Sequence, residues 1–329
     1  MKILSKWVQR HQFGFLRRIR LFVVAFNMTH KDDLLYLQPR FKSINLKKKW
    51  WNTISSKDFF NLPNTPLPLD VEDAADHLYK QPYFQSLTSQ QQEALNSWST
   101  NGYAHLEGFF SLDQSDEMRE ITDAMFASDT DKWRFGNRRV KGVFENQRLW
   151  DFAHDARLMA ILSSLLGESA EIVNSIHFQQ GDEQPIHSDS FYMTTFPVGR
   201  LIGLWVALED IHPDSGVLRY YPGSHRLPYI QNADLDNNGN WFLTGNKGEA
   251  EYEEKIKSQI AMRKLSEVKH LPKKGDILLW HANLLHGGSK LIDPSKTRKS
   301  MVCHYIAANA ICYHENSQRP ALKPQPFGG

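Results

Sequence analysis

The apolar positions follow a helical period up to about residue 167 and a strand period beyond it. A capping-box pattern at Thr88 begins one helix, which Gly102 ends, and a second capping box at Ser111 begins another. A third helix is expected from about Asp155 to Gly167, because leucine and isoleucine recur there at i, i+3, i+4 and i+7. This part of the chain therefore predicts amphipathic helices that each bury one face.

Beyond Gly167, short segments rich in β-branched, aliphatic and aromatic residues alternate with Gly, Pro, Asp and Ser, which is typical of strands joined by turns. Many short strands after a helical start indicate two facing sheets. The predicted fold class is therefore mostly β with flanking helices (α+β), a jelly roll whose mouth can hold a ligand. The predicted strands are Tyr103–Glu107, Glu171–Phe178, Leu201–Leu208, Val217–Tyr221, Val268–Leu271, Ile277–Trp280 and Met301–Ala307.

Two stretches fall outside this regular pattern. Residues 1–86 are basic and then proline-rich, and we expect them to wrap the surface or to be partly disordered. Residues 228–267 form a long connection with a predicted helix over Glu249–Lys264, and we expect either a lid over a ligand site or a plain surface insertion. The jelly-roll domain is then residues 87–310, followed by a C-terminal tail, 311–329.

The N-terminal segment needs its own interpretation. Its first 20 residues carry six basic side chains and no acidic one, and an apolar run, Leu21–Phe26, follows. The run is far shorter than the roughly 20 residues that a membrane span needs. We expect the segment to dock on the protein or to be disordered, with peripheral membrane contact as the alternative. Trp50 and Trp51 are expected to anchor the following stretch by packing rather than to form a binding site.

Composition changes this picture little. The 39 basic and 37 acidic residues give a net charge of +2, too small to indicate a nucleic-acid surface. Cys303 and Cys312 are the only cysteines, so a disulfide framework and a cysteine-rich zinc site are both excluded. A reducing cytoplasm is the default location for such a chain. The expected partner is a small molecule, and the oligomeric state stays open.

Candidate metal chemistry lies in two short stretches. His187 and Asp189 are two residues apart, so on an extended strand their side chains share one face. A third ligand is expected from a stretch around the end of a later strand, which contains His281 and His286. Two histidines and one carboxylate on one side of an ion leave the opposite side open, as in non-haem Fe(II) oxygenases. The simpler alternative is that an isolated His-x-Asp is a surface turn or a hydrogen-bonded pair.

Taken together, these residues resemble the phytanoyl-CoA dioxygenase (PhyH) family of Fe(II)- and 2-oxoglutarate-dependent oxygenases. The resemblance spans residues 87 to about 308, and rests on the order and spacing of several motifs rather than on any one of them. The motifs are Leu87–Phe110, His187-Ser-Asp189, Trp205–Asp210 with Gly216–His225, and Gly275–Ser300.

The resemblance implies a double-stranded β-helix core in which His187, Asp189 and His286 hold Fe(II) and Arg298 binds the far carboxylate of 2-oxoglutarate. It favours His286 over His281, because the distal ligand of the family directly precedes Gly-Ser or Gly-Gly-Ser. Arginine suits the carboxylate because its planar fork donates two parallel charge-assisted hydrogen bonds. The implied reaction uses O2 to hydroxylate an unactivated C–H bond of a small-molecule or lipid-like substrate. Succinate and CO2 are the co-products, and ascorbate is a candidate stimulant.

Several further residues are candidates for the pocket. His177 and Gln179 have the same parity on the strand before the metal motif, so we expect them to line the 2-oxoglutarate or substrate pocket, or simply to pack. Tyr192 and Met193 follow the metal motif and are expected to floor the substrate pocket. His304, inside the last strand, is expected to be a hydrogen-bonded core residue.

The sequence departs from the family after the distal histidine, where the interval to Arg298 is also about one residue longer than common. The family often has serine or threonine two residues after the distal histidine, whereas this chain has Gly288 there and Ser289 one residue later. Ser289 is therefore our candidate, with Gln179, for a second cosubstrate contact. The carboxylate at Asp189 is intact, and related halogenases lack it, so the resemblance implies hydroxylation.

Two other classes of function are compatible with parts of the pattern. A cupin-like hydrolase or isomerase would use the same three ligands with zinc or manganese, and nothing in that interpretation needs Arg298. A non-catalytic jelly-roll module would bind a ligand or a membrane, and would not bind Fe(II).

Overall fold

The computed structural model describes residues 18–71, 73–128, 134–237, 239–245, 248–323 and 325–327. Its strands are β1 (Tyr103–Leu106), β2 (Arg134–Phe135), β3 (Arg138–Val140), β4 (Ala170–Phe178), β5 (Thr194–Phe196), β6 (Leu201–Ala207), β7 (Leu218–Tyr220), β8 (Val268–Lys269), β9 (Ile277–His281), β10 (His286–Gly288), β11 (Ser300–Ala307), β12 (Ile311–His314) and β13 (Arg319–Pro320). The α-helices are Arg20–Met28, Lys31–Leu34, Leu37–Ser43, Pro68–Val71, Ala74–Leu78, Ser89–Asn96, Trp98–Asn101, Leu112–Ala127, Gly142–Glu145, Gln147–Ala153, Ala156–Leu166, Asp189–Tyr192 and Glu249–Arg263.

A large sheet and a small sheet face each other. The large sheet has the order β1-β9-β6-β11-β4-β3-β2, and the small sheet has the order β10-β7-β8. All pairings within them are antiparallel. Two facing antiparallel sheets with helices outside are the jelly-roll architecture that the sequence predicted.

Alternation along the strands divides the core in two. Ile202, Leu204 and Val206 of β6 pack with the helix Ala156–Leu166 outside the large sheet. Trp205 of the same strand packs instead with Leu218 of the small sheet. Both faces of the large sheet are therefore covered, which explains why every residue of β6 is buried.

The helix boundaries follow the capping signals in the sequence. Thr88 and Ser111 both form capping boxes, and Asp155 accepts hydrogen bonds at the start of Ala156–Leu166. Gly167 ends that helix with φ 69°, a left-handed conformation that glycine adopts without steric cost. The first predicted helix differs, because it breaks at Ser97 into two shorter helices.

The N-terminal extension packs on a third sheet of order β13-β12-β5. Leu34, Leu37 and Phe41 form one apolar cluster with Phe196 and Tyr313 of that sheet. Residues 311–320, which we predicted as a tail, thus supply two of its strands. The proline-rich stretch, predicted as irregular, contains the short helices Pro68–Val71 and Ala74–Leu78.

The apolar run, Leu21–Phe26, lies within the helix Arg20–Met28, which packs against the body of the protein. Val23 is buried, and the buried Asn27 donates to the carbonyl of Trp51 at 2.9 Å. Leu21 and Phe22 stay exposed. The first 17 residues, with most of the predicted basic segment, lie outside the described part, so membrane contact there stays a prediction. No helix in the described ranges is long and apolar enough to cross a membrane.

Candidate metal centre

His187 and His286 are joined through their backbones. The N–H of each donates to the carbonyl of the other at 2.9 Å, which forms a short antiparallel bridge. His286 opens β10 of the small sheet, while Asp189 opens the helix Asp189–Tyr192. The sequence placed His187 and Asp189 on one continuous strand. The structure instead turns the chain into a helix between them, yet the three side chains still converge.

The three side chains form a compact buried donor set. Nε2 of His187 lies 3.9 Å from Oδ1 of Asp189, and Nε2 of His286 lies 3.6 Å from the same oxygen. One ligand atom from each residue lies within 4.8 Å of the other two, and each residue is only 6% exposed. Ligands about 2.0 to 2.2 Å from one ion would be separated by distances of this size. Nitrogen and carboxylate donors in this number suit a divalent transition metal such as Fe(II).

Hydrogen bonds set the orientation of both imidazoles. Nδ1 of His187 lies 2.9 Å from the carbonyl of Pro185, and Nδ1 of His286 lies 2.9 Å from the carbonyl of Leu284. A carbonyl oxygen can only accept, so each Nδ1 carries the proton and each Nε2 presents a lone pair. Burial, and then the neighbouring His286, lower the pKa of His187 to about 4, so the ring is neutral at pH 7.

Two groups contact Oδ2 of Asp189, the carboxylate oxygen that does not face the nitrogens of His187 and His286. The indole Nε1–H of Trp280 donates to Oδ2 at 2.7 Å, and Nε2 of His304 lies 3.4 Å from the same oxygen. Burial by itself raises the pKa of Asp189, but the imidazoles of His286 and His304 outweigh it and bring the pKa well below its usual range. The carboxylate is therefore ionised, and Oδ1 is left facing the two histidine nitrogens.

A cavity of about 110 Å³ lies beside this donor set and contains Arg298. The Arg298 side chain is 3% exposed and lies over the ring of Phe178, with 5.2 Å from Cζ to the ring centre. Its Nη1 donates to the carbonyl of Gly216 at 3.0 Å, and its Nη2 is 3.5 Å from Oδ1 of Asp182. Its Nε has no hydrogen-bond partner in the described part of the chain. A buried guanidinium with an unused donor is a suitable site for a carboxylate.

A second arginine enters the cavity from β3, and the sequence interpretation missed it. Arg138 pairs with Phe178 across the β3–β4 ladder, and its Nη2 lies 2.6 Å from Oδ2 of Asp182. Asp182 thus stands between the guanidinium groups of Arg138 and Arg298. The strand is only three residues long and polar, so no hydrophobic period marked it; a charged residue within reach of Arg298 becomes visible only once the strands are paired.

His281, the alternative to His286 as third ligand, lies away from His187 and Asp189. His281 is buried with its Nε2 3.3 Å from Oδ1 of Asp70, and its ring lies 5.5 Å from that of His225. Those two histidines belong to a separate buried cluster, outside the metal ligand set. His304 proved to line the cavity and to contact Asp189, in addition to lying in the core as expected.

His177 and Gln179, predicted to line the pocket or to pack, do not line the cavity. Alternation along β4 points His177 toward the helix Leu112–Ala127, where its Nδ1 lies 3.2 Å from Oγ1 of Thr122. Ile176 and Phe178, of the opposite parity, line the cavity instead. Gln179 lies beyond the end of β4, and its carbonyl accepts from the backbone N–H of Arg298. The side chain of Gln179 is not among those that line the cavity.

The side chains of Tyr192 and Met193, which follow the metal motif, lie in different surroundings. The ring of Tyr192 lies edge-on to that of His187, with 5.5 Å between centroids. Met193 packs against an apolar cluster that includes Val173 and Leu201. Tyr192 is therefore the one of the two that lies next to the metal ligands.

Gly288 explains the departure from the family pattern. A Cβ at this position would lie 2.9 Å from the backbone nitrogens of Glu183 and Gln184, closer than real Cβ contacts. The strand after His286 therefore needs glycine where the family often has serine or threonine. Gly288 lines the cavity, and Ser289, our candidate for a second cosubstrate contact, is not among the lining residues.

Comparison with known proteins agrees with this fold. The profile of the phytanoyl-CoA dioxygenase family matches residues 98–296, more than half of the chain. A phytanoyl-CoA dioxygenase domain-containing protein 1 from Bos taurus is 27% identical over 188 residues, 40% of this chain and 64% of that protein. The match thus spans slightly less than two thirds of that relative's length.

Two further similarities cover more of the chain. An ectoine dioxygenase from Sphingopyxis alaskensis is 24% identical over 249 residues, 70% of this chain and 79% of that protein. The crystal structure of EctD from S. alaskensis with 2-oxoglutarate and 5-hydroxyectoine superposes with a TM-score of 0.56 at 20% identity, covering 82% of this chain and 89% of the other. The extent of the family match, together with the jelly roll, shows that the chain belongs to the phytanoyl-CoA dioxygenase family.

Proposed function

We propose that the protein is an Fe(II)- and 2-oxoglutarate-dependent oxygenase that hydroxylates an unactivated C–H bond of a small-molecule or lipid-like substrate. One observation carries the proposal: the free faces of His187, Asp189 and His286 converge beside the same small cavity that holds the buried, partly unsatisfied Arg298. A metal hydrolase would use the three ligands but would have no use for a buried guanidinium near them.

The charges of the side chains that line the cavity match those of Fe(II) and 2-oxoglutarate together. Its lining includes Arg138 and Arg298, each positive, and Asp182 and Asp189, each negative, so these four side chains sum to zero. Fe(II) carries two positive charges and 2-oxoglutarate two negative ones. Binding both therefore leaves the buried site neutral, whereas binding either alone leaves an uncompensated charge in a poorly solvated place.

The chain's own side chains supply binding, orientation and exclusion of water. Nε2 of His187, Nε2 of His286 and Oδ1 of Asp189 would hold the ion, and Arg298, with Arg138 near it, would receive the distal carboxylate of 2-oxoglutarate. Bound Fe(II) would supply the activation of O2 that no amino-acid side chain provides. The balanced reaction converts 2-oxoglutarate, O2 and R–H into succinate, CO2 and R–OH.

Apolar side chains would keep the cosubstrate in place and dry. Ile176, Trp205, Leu218 and Val302 line the cavity between the two sheets. They come from β4, β6, β7 and β11, so rigid strands rather than loops hold the site. Such walls strengthen the ion pair between Arg298 and a carboxylate, because water does not screen it.

The relatives support a small-molecule substrate without naming one for this chain. The S. alaskensis relative is named for ectoine, and its structure holds 5-hydroxyectoine. A second cavity of about 390 Å³ lies next to the metal motif, lined by Pro185 and Ile186 and by Ile256 and Ile260 of the helix Glu249–Arg263. We propose that it receives the non-reacting part of the substrate.

The test is succinate formation with Fe(II), 2-oxoglutarate, ascorbate and a panel of candidate substrates. We expect substrate-stimulated succinate release by the wild type and none by Asp189→Ala or His286→Ala, because each removes one of three ligands. His212→Ala is the control, since that histidine is about half exposed on a turn away from the site. Succinate release that survives both ligand substitutions would refute the site.

Arg298→Lys tests whether Arg298 binds the distal carboxylate of 2-oxoglutarate. Lysine keeps the charge but cannot donate two parallel hydrogen bonds to one carboxylate. We expect the KM for 2-oxoglutarate to rise about tenfold, the loss of roughly one charge-assisted hydrogen bond of 1.5 kcal/mol or more, with metal affinity unchanged. An unchanged KM would show that a group other than Arg298 binds the distal carboxylate.

A further inference from the structure

Tyr252 of the insertion, residues 228–267, contacts the metal motif. Tyr252 lies in the first turns of the helix Glu249–Arg263 and is fully buried. Its ring stacks on Phe191, with 3.9 Å between centroids and 10° between planes. Phe191 belongs to the short helix that Asp189 opens. The insertion helix is therefore packed against the segment that carries a metal ligand.

The hydroxyl of Tyr252 contacts the residue between two metal ligands. The backbone N–H of Ser188 donates to it at 2.8 Å, and Oγ of Ser188 lies 3.0 Å from it. A phenol has one proton, so Tyr252 accepts from the Ser188 N–H and can donate to Oγ. A backbone hydrogen bond at this position fixes the peptide that joins His187 to Asp189.

The residue just before the insertion, Leu227, is connected to the same motif. Oγ of Ser188 lies 2.8 Å from Oγ of Ser190, which donates to Oδ1 of Asn283 at 3.0 Å. Nδ2 of Asn283 donates to the carbonyl of Leu227 at 2.7 Å. Leu227 directly precedes the insertion. Ser188 and Ser190, which flank Asp189, are thus connected to Tyr252 inside the insertion and, through Asn283, to Leu227 just before it.

We propose that this hydrogen-bond network, formed by Tyr252, Ser188, Ser190 and Asn283, positions the metal ligands. The insertion would thereby control the geometry and affinity of the metal site. The proposal rests on the proposed metal-dependent function. Tyr252 is a positioning residue, because it touches the backbone between ligands and has no contact with a reacting atom. The insertion is then part of the metal centre, and not only a cover or a surface loop.

The first experiment compares Tyr252→Phe with the wild type, using Co(II) as an anaerobic probe that needs no turnover. Phenylalanine keeps the ring stacked on Phe191 and removes only the hydroxyl. Loss of a partner bonded directly to a ligand typically costs about 10- to 100-fold in metal affinity. Because Tyr252 bonds the residue between two ligands, we expect the Co(II) Kd to rise by up to about 10-fold and its visible absorption bands to shift. Tyr221→Phe is the matched control, since the Tyr221 hydroxyl bonds Glu267 at 3.2 Å instead.

The second experiment is a double-substitution cycle with Ser190→Ala, which removes one hydroxyl from the middle of the network. If the network acts as a unit, Tyr252→Phe and Ser190→Ala each raise the Kd, and the double variant raises it by less than the product of the two. This variant also decides the matter should Tyr252→Phe fold poorly. Wild-type Kd and wild-type absorption bands in both single variants would overturn the proposal and leave the proposed function standing; a wild type that binds no Co(II) would overturn both.

Discussion

Two buried carboxylates, Asp189 in the metal centre and Glu315 beneath the insertion, show how neighbours decide the role of a buried charge. Oδ2 of Asp189 faces an indole and an imidazole, and its Oδ1 faces two more imidazole nitrogens. Glu315 is fully buried among neutral donors: Oε1 accepts from Oγ of Ser56 at 2.5 Å and from the backbone N–H of Asn232 at 2.9 Å.

The pKa values move in opposite directions as a result. Burial raises the pKa of both carboxyl groups, but at Asp189 the imidazoles outweigh it, so the pKa falls. At Glu315 burial prevails over the hydrogen bonds from Ser56 and Asn232, so the pKa rises. The neighbouring imidazoles thus keep Asp189 ionised. Glu315 instead connects three segments: the N-terminal extension, the insertion and the strand β12 that ends just before it.

The largest expected effect comes from removing one charge at each place. Asp189→Asn keeps the shape of the side chain but removes the charge, so we expect loss of Fe(II) or Co(II) binding and of succinate formation. Glu315→Gln should leave metal affinity unchanged and alter thermal stability instead. Calorimetric metal titration beside thermal unfolding of both variants checks the contrast. Metal binding retained by Asp189→Asn, or lost in Glu315→Gln, would break it.

A smaller effect is expected from the donor behind Asp189. Trp280→Phe keeps an aromatic ring in the core but removes the Nε1–H that binds Oδ2 at 2.7 Å. The carboxylate then keeps only His304 as a partner and can rotate, so we expect the Co(II) Kd to rise by about 10- to 100-fold. Trp150→Phe, outside the cavity on the helix Gln147–Ala153, is the control. Equal affinities in the two variants would show that the indole only packs.

Long periodic patterns made most of the fold predictable. The six strands predicted after residue 167 all occur as β4, β6, β7, β8, β9 and β11, with ends shifted by one or two residues. The predicted helices after Ser111 and Asp155 and within the insertion also occur. The strands that were missed, β2, β3, β5, β10, β12 and β13, are two to four residues long. β7 and β8 are as short, but they lie within the longer predicted stretches Val217–Tyr221 and Val268–Leu271.

The site was predictable only as far as a motif marks it. The spacing of His187 and Asp189 predicted two ligands and the family resemblance favoured His286 as the third, and the structure brings those three side chains together. Arg138 and Tyr252 lie outside the motifs, and Trp280 lies inside one that did not reveal its contact with Asp189. Their roles depend on which strands pair and where the insertion helix docks, and these long-range contacts cannot be derived from local spacing. The assignment of Gln179 and Ser289 to the cosubstrate stays a prediction that their positions outside the cavity lining do not support.

The smallest expected effect is the pH dependence of stability at Glu315. Because the native pKa of this carboxyl is raised above its ordinary value of 4.5, the native state holds the proton more tightly than the unfolded state. The contribution to stability is therefore fully present below pH 4.5 and is lost as the pH rises through the raised native pKa. A native pKa that lies one pH unit above the unfolded pKa corresponds to about 1.4 kcal/mol of stability.

Glu315→Gln removes this proton and with it that part of the pH dependence. We expect the Tm of the wild type to fall relative to that of Glu315→Gln as the pH rises from 4.5 to 8, by about 1 to 2 °C per kcal/mol. Glu251→Gln, at an exposed position of the insertion helix, is the control and should follow the wild type. If the Tm profiles of wild type and Glu315→Gln run parallel, the neutral donors around Glu315 compensate its charge fully, and the contrast with Asp189 rests on the neighbouring imidazoles alone.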